Sequence, residues 1–229
     1  MSPTDGSPWS EPGIVAGFVQ SPPNLRLIEY ARTAGVGPGA RVVDIGCGAG
    51  RNAVPLAELG PHVAGVDGSL PMLRACAGRR DLAGLHVGLA LAAMDTLPIR
   101  SDSADLVVAH GIWNLARSGA EFRRGVHEGA RVLHAGGVLF VFTFSRNTLP
   151  PDTAPVAGES FVFTQFSGQP QCFLSREQLI DELAAAGLTV DPNEPLLEHN
   201  RRDERRLPTP GGPVIYEGGF RKEGSRRTG

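Results

Sequence analysis

The stretch of sequence that decides the fold is Val42-Val43-Asp44-Ile45-Gly46-Cys47-Gly48-Ala49-Gly50. Three glycines at alternate positions follow a short apolar run, and a segment with helical spacing comes after them. Because glycine has no Cβ, the backbone of such a loop can turn sharply and approach a ligand closely. A loop of this kind, between a buried strand and the N-terminus of a helix, is typical of a site for a nucleotide-like cofactor.

The residues around this loop distinguish between two classes of cofactor. The fingerprint of dinucleotide-binding proteins is G-x-G-x-x-G, and its third glycine would fall on Arg51. Asp44, at the end of the strand, would also repel a pyrophosphate in the loop. S-adenosylmethionine has no phosphate and carries an ammonium group and a sulfonium, which an acidic neighbour favours. The loop therefore indicates S-adenosylmethionine, although Asp44 could instead only tie down the loop backbone.

A second acidic residue, Asp67, ends the next predicted strand, 21 positions after Gly46. A carboxylate at this place can accept hydrogen bonds from both ribose hydroxyls, in either cofactor class. Asp67 therefore indicates a ribose without separating the two classes. The alternative is that Asp67 serves as a negative charge at the N-terminus of a helix, beside Ser69.

From about residue 41 onward, strand-like and helix-like segments alternate. Ser118 and Glu121 have the spacing of a capping box that starts a helix, and Gly136-Gly137 has the composition that ends one. Alternation of this kind predicts a parallel sheet with helices on both faces. The predicted strands cover 41–45, 62–66, 85–91, 105–109 and 138–144, and the predicted helices include 51–59 and 70–77.

The C-terminal part has a different composition. Residues 150–172 are rich in Pro, Gly, Ser and Gln, and so long an insertion is more often a lid or binding element than a plain linker. A second capping box, Ser175 to Gln178, opens a helix that Gly187 closes. We expect strands at 188–190, 196–199 and 214–220, with a hairpin closing the sheet, and a frayed tail over 221–229. This divides the chain into an N-terminal arm and helix (1–40) and a main domain (41–229), with 146–174 as a lid or substrate insertion.

Four motifs in order resemble those of class I S-adenosylmethionine-dependent methyltransferases: 43–50, 65–67, Met94-Asp-Thr-Leu-Pro98 and 105–109. The resemblance implies an α/β, Rossmann-like fold with a mostly parallel seven-stranded sheet, helices on both faces and a C-terminal antiparallel hairpin. It also implies methyl transfer from S-adenosyl-L-methionine, with S-adenosyl-L-homocysteine as product.

Within this family the glycine loop holds the methionine part of the cofactor, Asp67 the ribose, and Met94 with its neighbours the adenine. The family often has an acidic residue two positions before Asp95 to accept the adenine amino group, and this chain has Ala93 there. Asp95 or a backbone carbonyl would have to take its place. The expected cofactor-binding residues are Asp44, Gly46, Cys47, Gly48, Gly50, Asn52, Asp67, Gly68, Met72, Ala93, Met94, Asp95 and His110.

The acceptor is expected outside the carboxyl ends of the strands, where His110 follows the fourth strand. His110 could act as a general base, since the pKa of histidine lies near neutrality, or its carbonyl could touch the cofactor while the ring only packs. Methyl transfer is an in-line displacement, so a base is needed only for an acceptor that begins protonated. Candidate substrate contacts are Trp113 (or a core tryptophan), Asn114, Phe166, Cys172, His199 and Arg201.

Three shorter segments resemble the tellurite-resistance branch of the same family: Gly50-Arg-Asn52, 161–166 and Leu196-Leu-Glu-His-Asn200. That branch uses basic residues near its last strands to hold an oxyanion. His199, Arg201, Arg202, Arg205 and Arg206 would supply that charge here. A metalloid oxyanion is therefore an alternative acceptor to a small organic molecule. The other interpretation of this run is a solvated polar loop.

Composition excludes several other classes. A chain of 229 residues suits one α/β domain. Its formal net charge of −2 lacks the basic footprint of a duplex-binding protein. The three cysteines form neither a disulfide framework nor a zinc pattern, and no histidine pair has metal-ligand spacing, so we expect a cytoplasmic protein without a metal. We expect no membrane span, a small-molecule substrate and a monomer or homodimer.

Three rival functions remain to be weighed. A nucleic-acid amino methyltransferase commonly has Asn/Asp-Pro-Pro-aromatic after the fourth strand, where this chain has Ala109-His-Gly-Ile112, and Cys172 lacks the preceding proline of a C5 nucleophile. A nicotinamide-dependent oxidoreductase is opposed by Asp44 and Arg51. A non-catalytic protein that binds S-adenosylmethionine stays open.

Overall fold

The computed structural model describes residues 8–79, 82–201 and 212–224, and they form an α/β fold. The strands are β1 Arg41–Ile45, β2 His62–Asp67, β3 Val87–Leu91, β4 Ala104–His110, β5 Leu133–Phe144, β6 Val162–Phe163, β7 Gln171–Cys172, β8 Leu188–Val190, β9 Leu197–His199 and β10 Ile215–Lys222. The α-helices are α1 Pro12–Gln20, α2 Leu25–Thr33, α3 Ala53–Ala57, α4 Leu70–Ala77, α5 Gly119–Val132 and α6 Arg176–Ala184.

The main sheet has the strand order β3-β2-β1-β4-β5-β10-β8, with β9 also paired to β10. Strands β1 to β5 are parallel, and β10 runs antiparallel to β5, β8 and β9. The mostly parallel sheet and its antiparallel C-terminal part are therefore confirmed. The expected number of seven strands is wrong, because β8 and β9 share one edge of the long β10 and bring the sheet to eight.

Two apolar layers cover the two faces of this sheet, as the strand–helix alternation predicts. On one face, Trp113 and Phe122 pack with α5 and α6 against residues such as Ile45. On the other face, Leu27 and Tyr30 of α2 pack against residues such as Phe140. Alternate residues of the central strands are buried in opposite layers, because successive side chains of a strand point to opposite faces.

Several element boundaries differ from the expectation. β3 begins at Val87, and β10 extends to Lys222, so residues 221 and 222 belong to a strand and not to a frayed tail. The third helix is short, Ala53–Ala57, because residues 51 and 52 belong to the turn that leaves the glycine loop. Gly136-Gly137 does not separate α5 from β5, since the strand already begins at Leu133. Ala104 pairs with Leu133 and Leu106 pairs with Val138, so the glycine pair lies in a β-bulge, and Gly136 has φ +83°.

The two predicted capping boxes have different outcomes. At Ser175 the box is complete, because the hydroxyl accepts from the backbone of Gln178 and the Gln178 side chain accepts in return. At Ser118 only half is present: the hydroxyl accepts from Glu121 N at 3.1 Å, but the Glu121 carboxylate accepts from Arg117 N instead. The single hydrogen bond to the Ser118 hydroxyl is enough to cap the start of α5.

The segments expected to be an arm and a lid have defined structure where the structure describes them. Residues 1–7 lie outside the described part, and the chain from Pro8 onward packs on α4, where Ser69 Oγ donates to Trp9 O at 3.0 Å. In the 146–174 segment, β6 and β7 pair, and Phe161 and Cys172 join the main core. Arg146 donates to several backbone carbonyls of the turn that follows it. A lid role for 146–174 remains a prediction.

Among the described residues, no helix is both long and apolar enough to cross a bilayer.

Candidate cofactor and acceptor site

The glycine loop has the backbone that its sequence predicts. Gly46, Gly48 and Gly50 all have positive φ values, of 72°, 54° and 80°. Space is limiting as well, because a Cβ on Gly46 would lie 2.8 Å from Ile112 Cβ, and one on Gly50 would lie 2.6 Å from Cys76 Sγ. Conformation and close approach therefore both require glycine at these two positions.

Asp67 joins the end of β2 to this loop. Its carboxylate accepts from Gly48 N at 2.9 Å and from Ser69 N at 2.7 Å. Burial raises the pKa of Asp67, and these two hydrogen bonds oppose the rise. The alternative role beside Ser69 is thus present in the structure. A carboxylate has about four lone-pair sites, so the two bonds leave acceptor capacity for a ribose.

Asp44 is a buried acid without a full set of partners. Its side chain lies at the end of β1, the residue is 2% exposed, and Oδ2 has no hydrogen-bond partner among the described residues. Burial raises its pKa to about 7, the Arg51 charge opposes the rise, and the Asp67 charge adds to it. A buried unpaired carboxylate is costly, so a cation at the glycine loop would stabilise it. A pyrophosphate there would be repelled by it.

Arg51 and His110 form a hydrogen-bonded pair at the carboxyl end of β4. The Arg51 Nη2 atom lies 2.8 Å from His110 Nδ1. A guanidinium only donates, so Nδ1 accepts and the ring proton lies on Nε2. Asn24 Nδ2 lies 3.0 Å from that Nε2, and in this tautomer both atoms carry hydrogens, so the contact is not a hydrogen bond. Desolvation lowers the pKa of His110 to about 3, and the Arg51 charge adds to the effect, so the ring is neutral near pH 7.

A cavity of about 330 Å³ opens beside this pair, at the carboxyl ends of β4 and β5. The Phe142 ring stacks on His110, with ring centroids 4.2 Å apart and planes at 14°. Glu217 pairs with Phe142 across β10 and β5, and its carboxylate accepts from the Asn24 amide. Lining residues are Phe18, Pro22, Pro23, Asn24, Arg51, His110, Gly111 and Phe142.

The other predicted cofactor residues lie around the loop or along the β2–β3 side. Asn52 is buried, and its Oδ1 accepts from Asn24 N at 3.0 Å, which ties the loop to the start of α2. Met72 Sδ lies 4.0 Å from the place of a Cβ on Gly48, and Cys47 Sγ lies 2.9 Å from that of a Cβ on Gly65. Gly68 and Ala93 follow the ends of β2 and β3.

Met94 and Asp95, predicted next to the adenine, face α5. Met94 is 7% exposed and lies near Gly125 of that helix. Asp95 accepts from Arg124 at 3.0 Å, so its carboxylate already has a charged partner. This partner favours a backbone acceptor for the adenine amino group over the Asp95 side chain. The adenine contacts remain predictions.

Two predicted substrate residues lie in the core, away from the cavity. Trp113 is 1% exposed, and its ring lies 3.0 Å from the place of a Cβ on Gly129. Cys172 is fully buried, its Sγ lies 3.4 Å from Ala116 O, and burial raises the pKa of its thiol. Both side chains pack in the core, which agrees with the alternative interpretation of Trp113, and their substrate contacts remain predictions. Asn114 is also buried, with Oδ1 unpartnered among the described residues.

The remaining substrate candidates lie farther along the sheet edge. His199 Nε2 is 3.2 Å from Arg26 Nη1 and 3.5 Å from a Glu217 oxygen, and Arg201 is 3.7 Å from Glu198. Phe166 is exposed on the aromatic cluster of the 146–174 segment. Because both side chains already face a carboxylate, the structure does not favour an oxyanion site there. Arg202, Arg205 and Arg206 lie outside the described residues.

Sequence reasoning missed several residues that line the cavity or contact its lining. The position of Arg51 directly after the glycine loop indicates that it lies near the site. In the sequence it distinguishes this loop from the dinucleotide fingerprint but does not indicate a contact with the acceptor. For Phe142 and Glu217 the sequence shows only the alternation of side chains typical of a strand. This alternation does not reveal which strands become neighbours in the sheet. Asn24 reads as a helix cap, and its side chain does accept from Leu27 N. The described residues hold no group of three or more His, Cys, Asp or Glu that could bind a metal.

Comparison with known proteins agrees with this geometry. Residues 43–141 match the family model described as "Methyltransferase domain". A demethylmenaquinone methyltransferase of Clavibacter sepedonicus is 37% identical over 131 residues, which are 56% of this chain and 51% of that protein. A ubiquinone biosynthesis O-methyltransferase of a Methylobacterium species is 26% identical over 70% of this chain and 64% of its own length. The matched region thus spans about half to two thirds of these curated relatives.

A solved structure has the same fold. It is the 1,6-didemethyltoxoflavin-N1-methyltransferase of Burkholderia thailandensis with bound 1,6-didemethyltoxoflavin and S-adenosylhomocysteine. Its TM-score is 0.64 at 18% identity, over 87% of this chain and 78% of that one. With the ordered motifs, the sheet order and the glycine loop already described, these matches lead to one conclusion. The chain has the fold of class I S-adenosylmethionine-dependent methyltransferases, and its residues 43–141 are similar to a methyltransferase domain.

Proposed function

We propose that this protein transfers a methyl group from S-adenosylmethionine to a small organic acceptor. The observation that carries the proposal is the unpartnered, buried carboxylate of Asp44, beside a loop whose glycines leave a cradle without side chains. These residues fit a cationic nucleoside without phosphates. The acceptor cavity adjoins the loop through Arg51, which ends the loop and lines the cavity.

The residues have separate roles in this proposal. Asp44 and the glycine loop would hold the methionine part, Asp67 the ribose, and the chain around Met94 the adenine. The cofactor supplies an electrophilic methyl on sulfur. The protein contributes alignment of the acceptor and exclusion of water by the apolar lining of the cavity.

His110 remains our candidate for the residue that contacts the reacting groups. As a general base it is weak, because its Nδ1 lone pair accepts from Arg51 and its pKa is about 3. The geometry supports a role in orienting Arg51 and the acceptor more than one in taking a proton. An acceptor that arrives already ionised needs no base.

Other parts of the proposal rest on composition and on the relatives. The curated relatives are named for quinone substrates, which supports an organic acceptor over a metalloid oxyanion. A catalytic role is favoured over non-catalytic binding by the methyltransferase relatives and the preformed cavity. We also propose a cytoplasmic location and a monomer or homodimer. The net charge of −2 supports the absence of a nucleic-acid partner.

Calorimetry and a transfer assay test this function. We expect S-adenosylhomocysteine to bind and NADH not to bind at the same concentration. Labelled methyl from S-adenosylmethionine should then appear on members of a panel of phenols, thiols, amines and carboxylic acids, but not on tellurite or selenite. Binding of NADH in place of S-adenosylhomocysteine would refute the cofactor, and binding without transfer to any acceptor would favour the non-catalytic alternative.

A further inference from the structure

We infer that the cavity binds an ionised hydroxyl on a planar aromatic ring, a phenolate, with Arg51 as the residue that selects the anion. This inference rests on the proposed function, whose acceptor it specifies. Three features carry it: the unused donors of Arg51, the direction in which its side chain points, and the flat apolar lining around it.

Most hydrogen-bond donors of the Arg51 guanidinium have no partner among the described residues. It is partly buried, and among the described residues it makes one hydrogen bond, to His110, although a guanidinium has five N–H donors. The buried Asp44 interacts with this guanidinium electrostatically. Burial lowers the pKa of Arg51, and the charge of Asp44 opposes this. An oxyanion in the cavity would supply the missing acceptor.

The side chain points away from the cofactor's expected ribose site. Asp67 lies at the end of β2, on one side of β1. His110 and Phe142 lie at the ends of β4 and β5, on the other side of β1. Arg51 contacts His110, so it faces the acceptor side. The other anion it could hold is the carboxylate of the cofactor, and the experiment below separates the two.

The lining of the cavity favours a flat ring. The stacked rings of His110 and Phe142 form one wall, and Phe18, Pro22 and Pro23 line the cavity as well. Offset ring stacking and a charge-assisted hydrogen bond can act together on a phenolate. A volume of about 330 Å³ is near the lower limit of ligand sites, which suits one or two rings.

The reaction balances without a protein base. The phenol loses its proton to solvent before or during binding, and Arg51 stabilises the oxyanion. A lone pair on that oxygen forms the new O–CH₃ bond while the CH₃–S bond breaks, and its electron pair stays on sulfur. The products are an aryl methyl ether and neutral S-adenosylhomocysteine.

A chromophoric probe tests this inference with the S-adenosylhomocysteine complex. The probe is 4-nitrophenol, with 4-nitro-1-naphthol as a larger form and 4-nitroaniline as a neutral match. We expect the bound phenols to titrate at lower pH than the free ones, seen in the phenolate absorption band. We also expect the phenolate to bind roughly tenfold to hundredfold more tightly than 4-nitroaniline, the range of one charge-assisted hydrogen bond.

Variants of Arg51 complete the test. Arg51→Met should abolish the titration shift and the preference over 4-nitroaniline, and Arg51→Lys should keep part of both. Arg100→Met is the matched control, because Arg100 is exposed and lines a separate cavity at the opposite edge of the sheet. It should behave like the unchanged protein. Folding of each variant is checked by circular dichroism and urea unfolding, which do not depend on ligand binding, and if Arg51→Met does not fold, the titration of the unchanged protein decides.

Three results would overturn the inference. The first is a bound phenol that titrates like the free one, or no binding of either phenol while S-adenosylhomocysteine binds. The second is Arg51→Met retaining the phenolate preference. The third is Arg51→Met losing affinity for S-adenosylhomocysteine with an unchanged phenolate preference, which would assign Arg51 to the cofactor's carboxylate. Failure of the unchanged protein to bind S-adenosylhomocysteine would instead refute the proposed function itself.

Discussion

The carboxylate of Asp67 accepts a hydrogen bond of 2.9 Å from the backbone of Gly48, and this bond fixes the glycine loop against the end of the neighbouring strand. A second bond of 2.7 Å, from Ser69 N, fixes the same carboxylate to the start of α4. One side chain thus organises the loop, and in our proposal it also holds the ribose.

Replacement of Asp67 by alanine should weaken binding of S-adenosylhomocysteine by roughly 1–3 kcal/mol, through lost charge-assisted hydrogen bonds. Calorimetry measures this loss. Asp105→Ala is the matched control, because Asp105 also accepts from a backbone N–H, that of Arg41, at the opposite edge of the sheet. It should lower stability without changing affinity. Equal affinity of the Asp67 variant and the unchanged protein would refute the assignment.

Gly46→Ala should destabilise the protein by more than its backbone conformation alone explains. A non-glycine residue at positive φ costs roughly 1–2 kcal/mol, and here the new Cβ would also lie 2.8 Å from Ile112 Cβ. Gly35→Ala is the control, because Gly35 has φ +80° with nothing within 4 Å of its Cβ position. Urea unfolding should show the larger loss at Gly46, and Gly46→Ala should cost less in an Ile112→Gly background, which lacks the clashing Cβ. Equal losses at the two glycines would contradict the close contact.

Stability should depend on pH through two buried groups with opposite effects. The pKa of Asp44 rises from 3.8 to about 7 on folding, so the native state holds more protons and its stability falls as pH rises between these values. The pKa of His110 falls from 6.5 to about 3 on folding, so the native state holds fewer protons. The stability of the protein therefore decreases as pH falls from 6.5 toward 3. The two slopes oppose each other where the windows overlap.

Replacing either residue should therefore reveal the pH dependence of stability that the other one causes. In the ligand-free protein, Asp44→Asn should raise the free energy of unfolding near pH 8, by up to about 4 kcal/mol, with a gain that shrinks toward pH 4. His110→Gln should leave a stability that falls more steeply as pH rises from 4 to 7. Urea unfolding across this range measures both, and slopes of the opposite sign would show that the two ionisations are assigned wrongly.

His110→Ala should leave affinity for S-adenosylhomocysteine nearly intact and cut turnover, because Arg51 loses the contact that orients it. The pH–rate profile of the unchanged protein should show no inflection from His110 between pH 5 and 8, since its pKa is about 3. An inflection near pH 6.5 that His110→Ala removes would establish the ring as a general base. Unchanged turnover of the variant would remove it from the mechanism.

Much of the fold could be predicted because its signals are local. The glycines of the loop and the Ser175 capping box act on backbone groups within a few residues, and both have the expected conformation. The bulge at Gly136 was missed because a glycine pair ends a helix or interrupts a strand equally well, and only the pairing of β4 with β5 decides between them.

The candidate site also has a part that the sequence predicts and a part that only the tertiary structure reveals. By itself, the sequence determined the α/β class, the acid-flanked glycine loop and the resemblance to class I methyltransferases, because these depend on the order and spacing of residues along the chain. Only the tertiary structure decided that Arg51, His110 and Asn24 meet around one cavity, with Glu217 bonded to Asn24, while Trp113 and Cys172 belong to the core. The physical reason is strand order: β10 pairs with β5 from far along the chain, and no local preference of either strand encodes that neighbour.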